Sequence, residues 1–149
     1  MKHTFQLNGI WNGGRNSEGV IEAGNLKTVI SIPEGMGGPG VGTNPDEMLL
    51  GAAATCYLIT LAAMLERSGI ETESLTQTSE GIVDVTNNIF TYESIVHRPR
   101  VILKAGSGER EVEKARRLAE MAEGSCMISR AVAGNVKLST VPEIHVAAI

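Results

Sequence analysis

The chain has 149 residues, 42% of them hydrophobic and 20% charged, the size of one domain (1–149) with a core of its own and the composition of a folded protein. A net charge of -4 and a longest basic cluster of only Lys114, Arg116 and Arg117 among glutamates argue against nucleic acid as a partner. The N-terminal Met1-Lys2-His3-Thr4-Phe5-Gln6 turns polar before an apolar signal region can form, so a cytoplasmic location is expected.

In chain order, His3 to Trp11 reads as extended, and Asn12 to Ser17 as the loop after it. Gly19 to Ala23 and Leu26 to Ile32 read as strands around a Gly24-Asn25 turn, the second carrying the β-branched run Thr28-Val29-Ile30. A three-stranded meander follows. Pro33 to Gly42 (PEGMGGPGVG) is too glycine-rich to be regular and is expected to serve as a mobile flap. A phosphate cradle would need a following Lys-Ser/Thr or a dinucleotide fingerprint, and neither is there.

The main helix opens at Thr43-Asn44-Pro45-Asp46-Glu47, with Asn44 as cap, Pro45 at the first helical position and Glu47 closing a capping box. It is expected to run to Ser68-Gly69, where Gly69 stops it. Met48 to Leu65 has no charge and approaches membrane-span length. Its Gly51, Ala52, Ala53, Ala54, Ala62 and Ala63, with Asp46, Glu47 and Glu66 close by, fit a buried helix in contact with another helix better than a membrane span.

Two long strands, Glu71 to Val85 and Phe90 to Lys104, are predicted to pair antiparallel through Thr86-Asn87-Asn88. Ser107 to Ala122 reads as an amphipathic helix presenting Val112, Ala115, Leu118 and Met121, stopped by Gly124. Ser125 looks like a new cap, for a short helix Cys126 to Val132, before a strand region from Val136 to Ala148. The fold class expected is α/β of the α+β kind.

The two cysteines lie 70 residues apart, which is no CxxC pair, and the three histidines make no zinc signature. From the residues alone, Cys56 is readable as a small core hydrophobe, as half of a structural disulfide or as a catalytic thiol. His97, a lone histidine on a strand, is expected to be structural or exposed.

Gly13-Gly14-Arg15, the stretch Gly38-Pro39-Gly40-Val41-Gly42-Thr43-Asn44-Pro45, and Cys56 and Cys126 in helical settings together resemble the OsmC/Ohr family over almost the whole chain. The resemblance implies an OsmC-like fold, with antiparallel sheets around a long central buried helix in an intertwined homodimer. It also implies reduction of organic hydroperoxides or hydrogen peroxide, no bound cofactor, and a dithiol reductant such as dihydrolipoamide as co-substrate. On this likeness Cys56 is the peroxidatic cysteine, Cys126 the resolving one and Arg15 the activating arginine. A membrane is not among the expected partners.

Where the family carries Glu just after the proline, this chain has Asp46, followed by Glu47. Around an ideal helix Asp46 lies about 80° from Cys56 and Glu47 about 180°, while Asp46 stands about 15 Å away along the axis. Asp46 is therefore the better orienting carboxylate, with Glu47 as the alternative; at that distance it does not touch Cys56 of its own chain if the helix is straight, which leaves a partner subunit's helix as one source for it. A free cysteine near pKa 8.5 is only a few per cent thiolate at neutral pH. A cation about 4 Å away contributes about 4 kcal/mol at an effective dielectric of 20, enough for a two-unit shift. Taken alone, Arg15 would be a solvated loop charge, and Cys126 beside a helix N-terminus is a rival for the reactive thiol. The competing function is a non-catalytic dimeric binding protein for a small apolar or thiol-containing ligand.

Overall fold

A computed structural model describes residues 1–149. The chain divides into two compact units, Met1–Met48 and Leu49–Ile149. In the first, β1 (Asn8–Trp11), β2 (Gly19–Ala23) and β3 (Leu26–Ile30) form the expected antiparallel meander. Gly24, at φ 59, turns the chain between β2 and β3, a left-handed conformation that glycine adopts without steric cost. The first strand is shorter than expected, pairing only from Asn8, opposite Glu22.

The glycine-rich segment is more ordered than a loose flap. Glu34–Met36 make a 3-10 turn, and the Ser31 hydroxyl donates to the Val41 carbonyl (2.7 Å) while accepting from the Val41 N–H (2.8 Å). Thr43 N–H then donates to the Val29 carbonyl at 2.9 Å. Gly42 has φ 69 and lies directly against the Val29 carbonyl, where a Cβ would collide. Here glycine serves close backbone approach as well as freedom of motion.

The division between units falls near the start of α1 (Pro45–Arg67). Asn44 Oδ1 accepts from the Glu47 N–H at 2.9 Å, the N-cap read from the sequence. At the other end Ile70 N–H donates to Leu65 O and Gly69 N–H to Glu66 O, each at 3.0 Å, with Gly69 at φ 71. This paired bonding at a left-handed glycine is the Schellman stop.

In the second unit β4 (Thr72–Thr86) and β5 (Ile89–Leu103) form the long hairpin. Its two-residue turn has Asn87 at φ 52 and Asn88 at φ 61, the positive values that a primed turn requires. α2 (Glu109–Ser125) and α3 (Met127–Val132) follow, then β6 (Lys137–Thr140) and β7 (Glu143–Val146). Both short strands pair parallel with β5, so this sheet is mixed where antiparallel sheets were expected. The helical crossover from β5 through α2 and α3 brings the chain back in the same direction. The single terminal strand region is broken at Val141-Pro142, where proline has no N–H to offer a ladder.

Alternation along β5 turns Ile95, His97, Pro99, Val101 and Leu103 inward. The core unites Val101 and Leu103 with Tyr57, Leu61 and Leu65 of α1, Ala115, Ala119 and Ala122 of α2, and Ile144 of β7. Burial of each large apolar side chain contributes about 1.5–3 kcal/mol. α2 runs past Gly124, and its packed stripe is Ala115, Ala119 and Ala122, leaving Met121 exposed; on a 100° wheel Ala122, not Met121, continues the line from Ala115. One face of α1 packs into this core. The other, with Gly51, Ala52, Thr55, Ile59, Ala62 and Ala63, is exposed in the single chain.

Candidate active site

Cys56 sits mid-way along α1, and Cys126 occupies the junction where α2 ends and α3 begins. Both thiols are free, and the two side chains lie within interaction range of each other. Cys126 is completely buried, whereas Cys56 is half-buried.

The surroundings of the two sulfurs differ in sign. Burial pushes the Cys56 thiol up, but hydrogen bonds with the Cys126 side chain, the Ile128 and Met127 N–H groups and the Thr60 hydroxyl outweigh it, leaving Cys56 more acidic than an ordinary cysteine. Cys126 is pushed the other way, by burial first and then by its interaction with Cys56, against the N–H and hydroxyl of Ser129 and the N–H of Ile128. Cys126 is itself the cap residue of a six-residue helix, but burial outweighs any benefit from that position and keeps its pKa above the ordinary value. Neither Thr60 nor Ser129 stands among the site residues expected from the sequence. Their spacing was the available signal, since Thr60 is four residues after Cys56 and Ser129 three after Cys126, both one helical turn.

Arg15 lies in the loop after β1. Its guanidinium donates to Asn16 Oδ1 at 2.8 Å and to the Met36 carbonyl at 3.2 Å, tying that loop to the 3-10 turn of the glycine-rich segment within the first unit. Asp46 is half-buried in the first turn of α1. Glu47 is exposed there and accepts from the Thr43 hydroxyl at 2.8 Å, so it serves the helix start. Of the five expected site residues, Cys56 and Cys126 meet within the second unit, while Arg15, Asp46 and Glu47 belong to the first.

A part-buried polar chain links α1 to the β4–β5 hairpin. Gln77 Nε2 donates to the Ala54 carbonyl of α1 (3.2 Å) and to Ser79 Oγ (2.9 Å), and Ser79 Oγ meets His97 Nδ1 at 2.7 Å. Ser79 Oγ thus links Gln77 to the imidazole, while His97 Nε2 is buried without a hydrogen-bond partner. Burial lowers the His97 pKa. The ring stacks on Tyr57, the neighbour of Cys56, at 4.6 Å and 13°, and Tyr57 donates to the Ala119 carbonyl at 2.6 Å. His97 is thus structural, in keeping with its reading from the sequence.

The OsmC-like protein family model matches residues 37–141. The chain is 62% identical over 136 residues to the uncharacterized protein YmaD of Bacillus subtilis (strain 168), with 91% of each chain covered. Its fold is similar to that of an organic hydroperoxide resistance protein OsmC from Legionella pneumophila, with a TM-score of 0.75, 25% identity, and 95% of this chain and 99% of that one covered. An organic hydroperoxide resistance protein from Elizabethkingia anophelis is similar at a TM-score of 0.72 and 25% identity, over 96% of this chain and 99% of that one. With its sequence matched over most of its length and its fold over nearly all of it, the chain belongs to the OsmC-like protein family.

Proposed function

We propose that the protein is a cytoplasmic, cysteine-based peroxidase that reduces organic hydroperoxides, and hydrogen peroxide as a further substrate, at the expense of a dithiol of the dihydrolipoamide class. The observation that carries this reading is the proximity of two free thiols in unlike surroundings, a half-buried Cys56 acidified by hydrogen bonds and a fully buried Cys126 pushed up by burial. The names of the Legionella and Elizabethkingia proteins support the same substrate class.

The Cys56 thiolate attacks the distal peroxide oxygen; the O–O bond breaks, and the alkoxide takes a proton to leave as an alcohol. Cys56 is then a sulfenic acid. The Cys126 sulfur attacks it, the S–O bond breaks, water leaves and a Cys56–Cys126 disulfide forms. Two thiols of the reductant restore both cysteines and depart as a cyclic disulfide. In this scheme Arg15 stabilises the thiolate and orients the peroxide, with Asp46, or Glu47 in its place, orienting Arg15. The exposed α1 face of small and apolar residues is the surface on which a homodimer forms.

The competing reading, a dimeric binding protein with idle cysteines, calls for a pair too distant to bridge, and these two are already in contact. Peroxide consumption by the purified protein with dihydrolipoamide, compared across hydrogen peroxide, an alkyl hydroperoxide and a fatty-acid hydroperoxide, tests the proposal. Turnover of at least the alkyl peroxide is expected. No consumption of any of the three, with both thiols reduced at the outset, would overturn it.

A further inference from the structure

Ser129 lies three residues after Cys126, one turn into α3. Its residue surface is 3% exposed, and Oγ makes no well-formed hydrogen bond to any group. The reacting group that its N–H and hydroxyl both border is the Cys126 sulfur. A buried hydroxyl without an acceptor is costly, and a protonated thiol is too weak an acceptor to relieve that cost. A thiolate is a strong one. The hydroxyl thus gains a strong acceptor only when the Cys126 sulfur carries charge.

That state arises when the disulfide opens. Cys126 is fully buried and Cys56 is not, so an external thiol reaches the Cys56 sulfur. We propose that Ser129 is a catalytic residue of the reducing half-reaction, donating its hydroxyl hydrogen to Cys126 as that sulfur leaves the disulfide, and thereby directing the reductant to Cys56. This inference rests on the Cys56–Cys126 disulfide of the proposed function. In the step, a reductant thiolate forms a new S–S bond to Cys56 and the Cys56–Cys126 bond breaks. The electron pair passes to Cys126, which holds it against Ser129 until it takes up the proton given up by the reductant. The second thiol of the dithiol then displaces Cys56.

The test uses the full chain, oxidised with diamide so that disulfide formation does not depend on peroxide turnover. Stopped-flow reduction by dithiothreitol is expected to slow roughly tenfold in Ser129→Ala, the loss of one hydrogen bond to a developing charge. Ser129→Thr, which keeps the hydroxyl, should recover most of the rate. With the monothiol glutathione, peptide mass spectrometry should find the mixed disulfide on Cys56 and a free, alkylatable Cys126. Reduction of Ser129→Ala at the wild-type rate, or glutathione captured on Cys126, would overturn the inference alone. Failure of diamide and peroxide alike to form the disulfide would overturn the proposed function beneath it.

Discussion

Cys56 and Cys126 lie side by side, yet hydrogen bonds outweigh burial at Cys56 while burial dominates at Cys126, which makes the two sulfurs chemically unequal. Limited alkylation of the reduced protein with iodoacetamide near neutral pH should therefore modify Cys56 at least about tenfold faster than Cys126, because the thiolate is the nucleophile and only Cys56 is reachable. The Cys56 rate should rise with pH and level off below the usual cysteine value of about 8.5. Equal labelling of the two peptides by mass spectrometry would refute this asymmetry.

Thr60 contributes one of the hydrogen bonds that acidify Cys56. Thr60→Val keeps the branched shape and removes the hydroxyl, so the Cys56 thiolate should form at higher pH. Alkylation and peroxide attack near pH 7 should then fall about three- to tenfold, the scale of one hydrogen bond. Ultraviolet thiolate titration of a Cys126→Ser background provides the check, and a titration curve that does not move would remove Thr60 from the site.

Burial holds His97 neutral below its ordinary range. As pH falls, the unfolded chain takes up this proton first, so stability is full above about pH 6.5 and declines below it until the folded-state value is passed. One such group contributes a slope of at most about 1.4 kcal/mol per pH unit. Urea unfolding followed from pH 7.5 to 5 should show a shallower decline in His97→Gln than in wild type, whatever the absolute stabilities. Identical slopes would place the acid sensitivity elsewhere.

Arg15 shares its guanidinium between Asn16 and the Met36 carbonyl, a two-sided contact suited to its planar fork. Under the proposed function Arg15→Ala should slow peroxide attack on Cys56 by about two orders of magnitude, and Arg15→Lys by less, while disulfide reduction is affected little. Stopped-flow measurement of the two half-reactions separates them. Oxidation of Arg15→Ala at the wild-type rate from pH 5 to 8 would show that Arg15 neither activates the thiolate nor positions the peroxide.

Ile59 is 65% exposed on the small-residue face of α1. If that face is the proposed dimer surface, light scattering should give a dimer for wild type at micromolar concentration and a monomer for Ile59→Glu, which would bury an unpaired charge at the interface. A wild-type monomer would end the shared-site model.

Local signals were legible in the sequence because they depend on residues close together in the chain. Asn44 capping α1, Gly69 stopping it and Asn87-Asn88 turning the β4–β5 hairpin are each set by short-range sterics and hydrogen bonds. The assignment of Cys56, Cys126 and Arg15 came from motif likeness, not from chain-local physics. Only the tertiary structure made β6 and β7 parallel to β5, since strand direction follows from where a helical crossover returns. It alone joined Cys56 to residues some 70 positions away, and it set the two thiols apart in acidity through donors from Thr60, Met127 and Ile128 on one side and complete burial on the other. A thiol's pKa responds to every dipole and every layer of solvent removed within a few ångströms, and these are arranged by packing rather than by sequence neighbours.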